Sequence, residues 1–244
     1  MHIFGQDRQN ALFADADNAS YAWVRVDHYP GEDEKLRASC LARRRGGNCP
    51  NTVEVLEQLI QTKKGQQKEK NGFEPLSPVL VAVLPAQSSP AVQFVRDSFG
   101  PNVDLTHCLY REAFHEPASS YIISSQATSS RTIVNYNELP EMTHDEFNAL
   151  IDRLHLQNSG DGTWFHFEGR IPDVNLQNVK SLRTRLPAAT ISVEAEKPGR
   201  PGLPELAAEA DVVFYAKGWA QVCILEMTMP LLDAQADTNR DTHS

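Results

Sequence analysis

The chain has 244 residues, 41% of them hydrophobic, and 23 basic against 32 acidic residues give a net charge of -9. That length suits one large α/β domain, with or without a small appendage. The acidic balance argues against nucleic acid as a partner, because a polyanion needs a contiguous cationic footprint, and no apolar run approaches the roughly 20 residues of a membrane-spanning helix. The basic runs at Arg43 to Arg45 and Lys63 to Lys70 are short, sit among polar residues and read as solvated. Cys40, Cys49, Cys108 and Cys223 form no Cys-x-x-Cys pair, and no basic segment followed by an apolar run opens the chain, so a reducing, cytoplasmic setting is the expectation. His107, Cys108 and His115 fit no zinc spacing and lack a fourth partner, so no metal site is expected there.

In chain order, residues 1–23 carry little periodicity, and order is expected to begin near Trp23. Val24 to Val26 read as a strand end that runs into the Pro/Gly turn "DHYPGED". From Thr52 to Ile60 the residues Val53, Val55, Leu56, Leu59 and Ile60 recur at helical spacing, with Asn51 or Thr52 as N-cap and a Gly-Gly-Asn turn just ahead. The polar stretch "QTKKGQQKEKNGFEPLSP" has the composition of a surface insertion. "VLVAVLP" at 79–85 is a short β-branched run, and a helix over Ala91 to Phe99 follows with Pro90 in its first turn. "YIISS" and "RTIVNY" alternate like a hairpin with one exposed face. Thr143 and Glu146 have the spacing of a capping box. Strands "TWFHFEG", "TISVEAE" and "DVVFYA" then alternate with helices at Asn175 to Leu186 and Pro204 to Glu209, which argues a mostly parallel sheet with helices on both faces. Ligands bind at the carboxyl ends of strands in such sheets, so "EGR" (168–170), "EAEKP" (194–198) and "AKG" (216–218) mark the functional rim.

Six stretches, "VDHYPGEDEKLR", "RRGGNCPNTVEVL", "SSRTIV", "WFHFEGR", "ISVEAEKP" and "DVVFYAK", stand in the order found in the PfkB/ribokinase-like carbohydrate kinases, and the chain resembles their ketohexokinase (fructokinase) branch over residues 24–221. The resemblance implies a ribokinase-like three-layer α/β/α fold with a mostly parallel central sheet and a small β-sheet lid within 119–136. It implies transfer of the ATP γ-phosphoryl group to a hydroxyl of a ketohexose-type sugar, with ATP and Mg2+ required. Glycines admit a ligand close to the backbone, and carboxamides both donate to and accept from hydroxyls. By resemblance, Gly46, Gly47, Asn48 and Asn51 then form the sugar site together with Asp33. The residues alone leave open that Asn48 merely caps the helix and that Asn51 lies on its first turn. Arg131 matches an arginine that contacts nucleotide phosphate, a role suited to a guanidinium. Glu168, Arg170, Glu194 and Lys197 are further cleft candidates, for which an ion-pair network is the competing explanation. The family's lid also pairs subunits, which implies a homodimer.

The chain departs from this pattern at both ends. In the family a Gly-Ala-Gly-Asp motif supplies the catalytic base at a helix N-terminus. No such motif occurs here, and "SGDG" at 159–162 falls between a helix and a strand, where it reads as a loop. No Gly-x-x-x-x-Gly-Lys-Ser/Thr loop replaces it. Tyr21 stands near the position expected for a sugar-contacting aspartate, with Asp15 and Asp17 out of register. The reading is therefore a C-terminally truncated kinase domain, flanked by divergent segments at 1–23 and 222–244, without turnover of its own. A non-catalytic sugar-binding or dimerisation module, or an incomplete gene product, is the alternative.

Overall fold

From Pro78 to Pro85 every residue of β4 (Ser77–Pro85) is buried, as expected of a strand with both faces covered in a parallel sheet. The computed structural model describes residues 11–17, 20–66, 76–154, 162–219 and 221. Among these residues, six strands form the central sheet. They are β1 (Ala11–Asp17), β4, β5 (Leu109–Arg111), β8 (Trp164–Glu168), β9 (Thr190–Ala195) and β10 (Val212–Tyr215), in the order β10-β9-β8-β1-β4-β5. All neighbours in it are parallel. Residue parity on β4 assigns the two flanking layers. Leu80, Ala82 and Leu84 pack with Cys49 and Val53 of α1 (Asn48–Gln66) and Val92 of α2 (Pro90–Asp97). Val79, Val81 and Val83 face the other way, into a larger core. That core holds Phe147 and Leu150 of α3 (His144–Arg153), Val179 and Leu182 of α4 (Pro172–Arg185) and Leu206 of α5 (Leu203–Ala208).

Chain direction explains this division. From β1 the chain builds toward β5, and from β8 it builds toward β10, so right-handed crossovers set the helices of the two halves on opposite faces. The reversal falls between β1 and β8, and the carboxyl ends of the strands there are where such sheets bind ligands.

The remaining four strands make a small second sheet, β3-β2-β6-β7, from β2 (Ser20–Val26), β3 (Cys40–Arg45), β6 (Ser119–Ser125) and β7 (Arg131–Tyr136). β6 and β7 are the antiparallel hairpin expected at 119–136, paired from Ser119 with Tyr136 to Ser124 with Arg131. All six residues of β7 are exposed, so this hairpin stands outside the main core.

The parallel three-layer architecture expected from the sequence is present, and three of its details need correction. Order does not begin near Trp23, because β1 and the first half of β2 precede it. "ALFADAD" has no β-branched residue and becomes a strand by insertion between β4 and β8. Helix α1 starts at Asn48, so neither Asn51 nor Thr52 is its cap. The run Arg43 to Arg45 is not uniformly solvated: Arg43 and Arg44 are exposed, but Arg45, at the end of β3, is buried with 7% exposure. Most of "SGDG", the side chains of Lys63 to Lys70 and the segment 222–244 lie outside the described residues.

Candidate functional site

Helix α1 begins where the strands end. Gly47 has a φ of 87°, a left-handed value natural to glycine, and its carbonyl accepts the Asn51 N–H at 3.2 Å as the helix starts. Four residues apart on one helix face, Cys49 and Val53 are fully buried against the sheet. Their anchoring holds Asn48 at the carboxyl rim, where its Nδ2 donates to Glu194 Oε1 at 3.2 Å and to Glu196 Oε2 at 3.5 Å. Glu194 is the penultimate residue of β9, and Glu196 is the first residue beyond it. Burial, and next the Glu196 charge, push the pKa of Glu194 up, while the Asn48 bond opposes them.

On the other side of the helix mouth, Asn51 Oδ1 accepts from Arg45 Nη1 at 3.3 Å. Arg45 itself is immobilised. Its guanidinium pairs with Glu54, its Nε donates to Ser98 Oγ at 2.9 Å, and its plane lies 4.3 Å from the centre of the Phe99 ring. Burial lowers the pKa of this arginine, with Glu54 opposing.

The other sequence-derived candidates are more dispersed. Gly46 is buried at the turn. Asp33 occupies an exposed turn with a φ of 60°, and the ordering group of that turn is Glu34, which accepts from Gly31 N at 2.8 Å and pairs with His28 at 2.7 Å. No described contact brings Asp33 to Asn48 or Asn51. Arg131 is exposed at the start of β7 in the small sheet. Glu168 ends β8, and its carbonyl accepts Asn175 Nδ2 at 2.9 Å. A Cβ on the next residue, Gly169, would stand 2.3 Å from the Glu194 carbonyl oxygen, so only glycine lets the "EGR" turn close against β9. Arg170 pairs with Glu141, and Lys197 is exposed in the loop after β9. Of the candidates, the structure links Asn48 directly with Glu194 and ties the Gly169 turn to Glu194 through the backbone. Sequence reasoning missed Arg45 and Glu196. Alternation along β3 gave no signal for Arg45, which shares strand parity with exposed Leu41 and Arg43.

A cavity of about 260 Å³ opens at this rim, lined by Thr52, His166, Glu194, Phe214, Tyr215 and Ala216. A larger one of about 390 Å³ lies between the small sheet and the start of α2, with Tyr21, Arg43, Phe94 and Tyr121 among its walls. The smaller cavity is the one that adjoins the Asn48 and Glu194 pair, since Thr52 Oγ1 donates to the Asn48 carbonyl at 3.0 Å.

The chain is 30% identical to ketohexokinase of Mus musculus over 205 residues, which cover 80% of this chain and 60% of that protein. The chain is a homologue of ketohexokinase. Among solved structures, the nucleoside kinase of Methanocaldococcus jannaschii, an archaeal member of the ribokinase family, superposes with a TM-score of 0.59 at 13% identity, over 87% of this chain and 62% of that one. Arabidopsis thaliana ribokinase, solved with ribose and ATP, gives a TM-score of 0.57 at 12% identity over 85% and 60% of the two chains. These likenesses show the ribokinase fold. No protein-family model matches the chain. As a ketohexokinase homologue, the chain spans 60% of the length of that relative.

Proposed function

We propose that the chain binds a ketohexose-type sugar at the mouth of α1, and that its family chemistry is transfer of the ATP γ-phosphoryl group to a sugar hydroxyl. One observation carries this reading. Asn48 and Asn51, three residues apart behind the Gly46-Gly47 turn, stand at the carboxyl rim in a chain 30% identical to ketohexokinase. Carboxamides match hydroxyls because each supplies both donors and an acceptor. Asp33 approaches the same sugar in this reading, and Glu168, Arg170, Glu194 and Lys197 line the cleft. Arg131 meets the nucleotide phosphate from the small sheet, which acts as a lid that keeps water from competing for the phosphoryl group. Exposed Leu41, Tyr121, Val134 and Tyr136 on that sheet support a homodimer through the lid. The cytoplasm suits such a protein.

The described residues do not form a magnesium site of their own. No grouping of three or more His, Cys, Asp or Glu suited to a metal occurs among them, and Asn48 engages both rim carboxylates. No step is therefore assigned to Mg2+ here. The absence of Gly-Ala-Gly-Asp from the sequence favours a second reading, in which the chain is a non-catalytic sugar-binding or dimerisation module.

Purified chain, incubated with fructose and other sugars, ATP and Mg2+, separates the two readings when a coupled ADP assay is run beside sugar-binding measurements. The expected outcome is sugar binding without sugar-dependent ADP formation. Aligned catalytic groups lower such barriers by at least about 8 kcal/mol, whereas the carboxamides act on ground-state binding. Sugar-dependent turnover overturns the assignment of an inactive chain, and absence of both binding and turnover overturns the sugar site.

A further inference from the structure

Resting on that sugar-site reading, we infer that the two carboxamides present fixed and opposite hydrogen-bonding faces, Asn51 donating only and Asn48 accepting only, with Arg45 as the residue that positions the first. Donor and acceptor chemistry assigns both orientations. A guanidinium donates and never accepts, so the Asn51 atom that faces Arg45 at 3.3 Å is the oxygen, and its NH2 group is turned away. Carboxylates at a pH above their pKa only accept, so the Asn48 atom that faces Glu194 and Glu196 is the nitrogen, and its oxygen is turned away. Positions three apart share one side of a helix, so both free faces flank the same helix mouth.

Arg45 is suited to this role because it has no freedom to follow the ligand. It is buried, paired with Glu54, bonded to Ser98 and stacked on Phe99, and its Nη1 donates to Asn51 Oδ1 and the Gly46 carbonyl. A freely rotating asparagine offers either polarity. One held by Arg45 does not.

The ligand class follows from these polarities. Two neighbouring hydroxyls satisfy both faces, one accepting from Asn51 and the other donating to Asn48. A carboxylate or phosphate group satisfies Asn51 but meets the Asn48 oxygen and the negative charges of Glu194 and Glu196. An ammonium group suits Asn48 and opposes the Asn51 NH2. The helix mouth therefore selects a neutral diol and rejects acidic or phosphorylated sugars at this position.

The test uses the full chain, D-fructose, gluconate as the anionic comparison, and monodeoxy and monodeoxyfluoro fructoses, with affinity read by calorimetry and folding by thermal melting. Asn51→Asp keeps an acceptor for Arg45 while replacing the outward donors with an oxygen. It is expected to melt no lower than the wild type and to bind fructose about tenfold more weakly, the loss of one hydrogen bond. Arg45→Met is expected to weaken binding similarly and Arg45→Lys to restore most of it, because an ammonium still donates to Asn51. Fluorine accepts weakly and cannot donate. One hydroxyl position should thus tolerate fluorine better than hydrogen, the one facing Asn51, and another should tolerate neither, the one facing Asn48. Gluconate should bind at least about tenfold more weakly than fructose. If the wild type binds fructose while Asn51→Asp binds it within twofold, or if fluoro and deoxy analogues fall together at every position, the fixed polarity is wrong. If the wild type binds no fructose, the sugar-site reading fails first and the inference fails with it.

Discussion

Glu194 ties the residue-scale chemistry of the rim to stability. Burial first, and the neighbouring Glu196 charge second, raise its pKa above 4.5. The folded chain then holds this proton more tightly than the unfolded chain. The associated stability is complete below pH 4.5 and is lost as pH rises through the elevated value. Glu194→Gln is accordingly expected to melt above the wild type near neutral pH, with the gap closing as pH drops below the ordinary carboxylate range. Melting scans across that interval check it, and a gap independent of pH counts against it. The sequence pointed to Asn48 and Asn51 through the family resemblance of the Gly-Gly-Asn stretch, and to Glu194 as a cleft candidate at a strand end, because both features are local. The partnership of Arg45 with Ser98 and Phe99, and of Asn48 with Glu196, crosses long stretches of chain and has no local signature.

Among the elements, α3 shows how a local motif and a distant ion pair combine. Thr143 and Glu146 form the reciprocal cap expected from their spacing. Glu146 also takes a forked bond from Arg111 at the end of β5, at 2.5 and 2.9 Å. That pairing leads the causes that hold the Glu146 pKa down at about 2. A lowered carboxylate pKa contributes stability above the ordinary range near 4.5, and the contribution is lost as pH falls toward about 2. The pair is part-buried, with Arg111 17% and Glu146 33% exposed, so solvent screening reduces the benefit only in part. Glu146→Gln should cost about 1 kcal/mol at neutral pH and nothing near pH 2, as read by urea unfolding. An undiminished cost in acid would reject the ion-pair explanation. Elements with strong local signals were readable in advance: the buried run of β4, the Pro90 start of α2 and the α3 cap. β1, β3 and β5 were not. The first lacks β-branched residues, the second is half arginine, and the third has only three residues. Each is a strand because a neighbour pairs with it.

At the level of the whole molecule, two sheets of different burial imply two levels of protection. The central sheet lies between two apolar layers, whereas β7 is exposed throughout and flanks the small sheet's edge. Amide exchange should therefore reach β6 and β7 well before β8 and β9. Mass spectrometry after deuterium labelling reads the difference, and equal protection of both hairpin and core would mean that the sheets open as one unit. The strand order also sets a timetable for synthesis. Leu12 of β1 lies beside Trp164 of β8, so the middle of the central sheet joins strands about 150 residues apart in the chain. At ribosomal speeds the intervening chain takes roughly ten to thirty seconds to appear. Once β4 has emerged within that interval, β1 has it for a neighbour on one side and an unpaired edge on the other, the kind of edge that recruits foreign strands. Slower translation between α2 and β8 would lengthen that exposure, and the yield of native protein would then depend on elongation rate as well as on final stability.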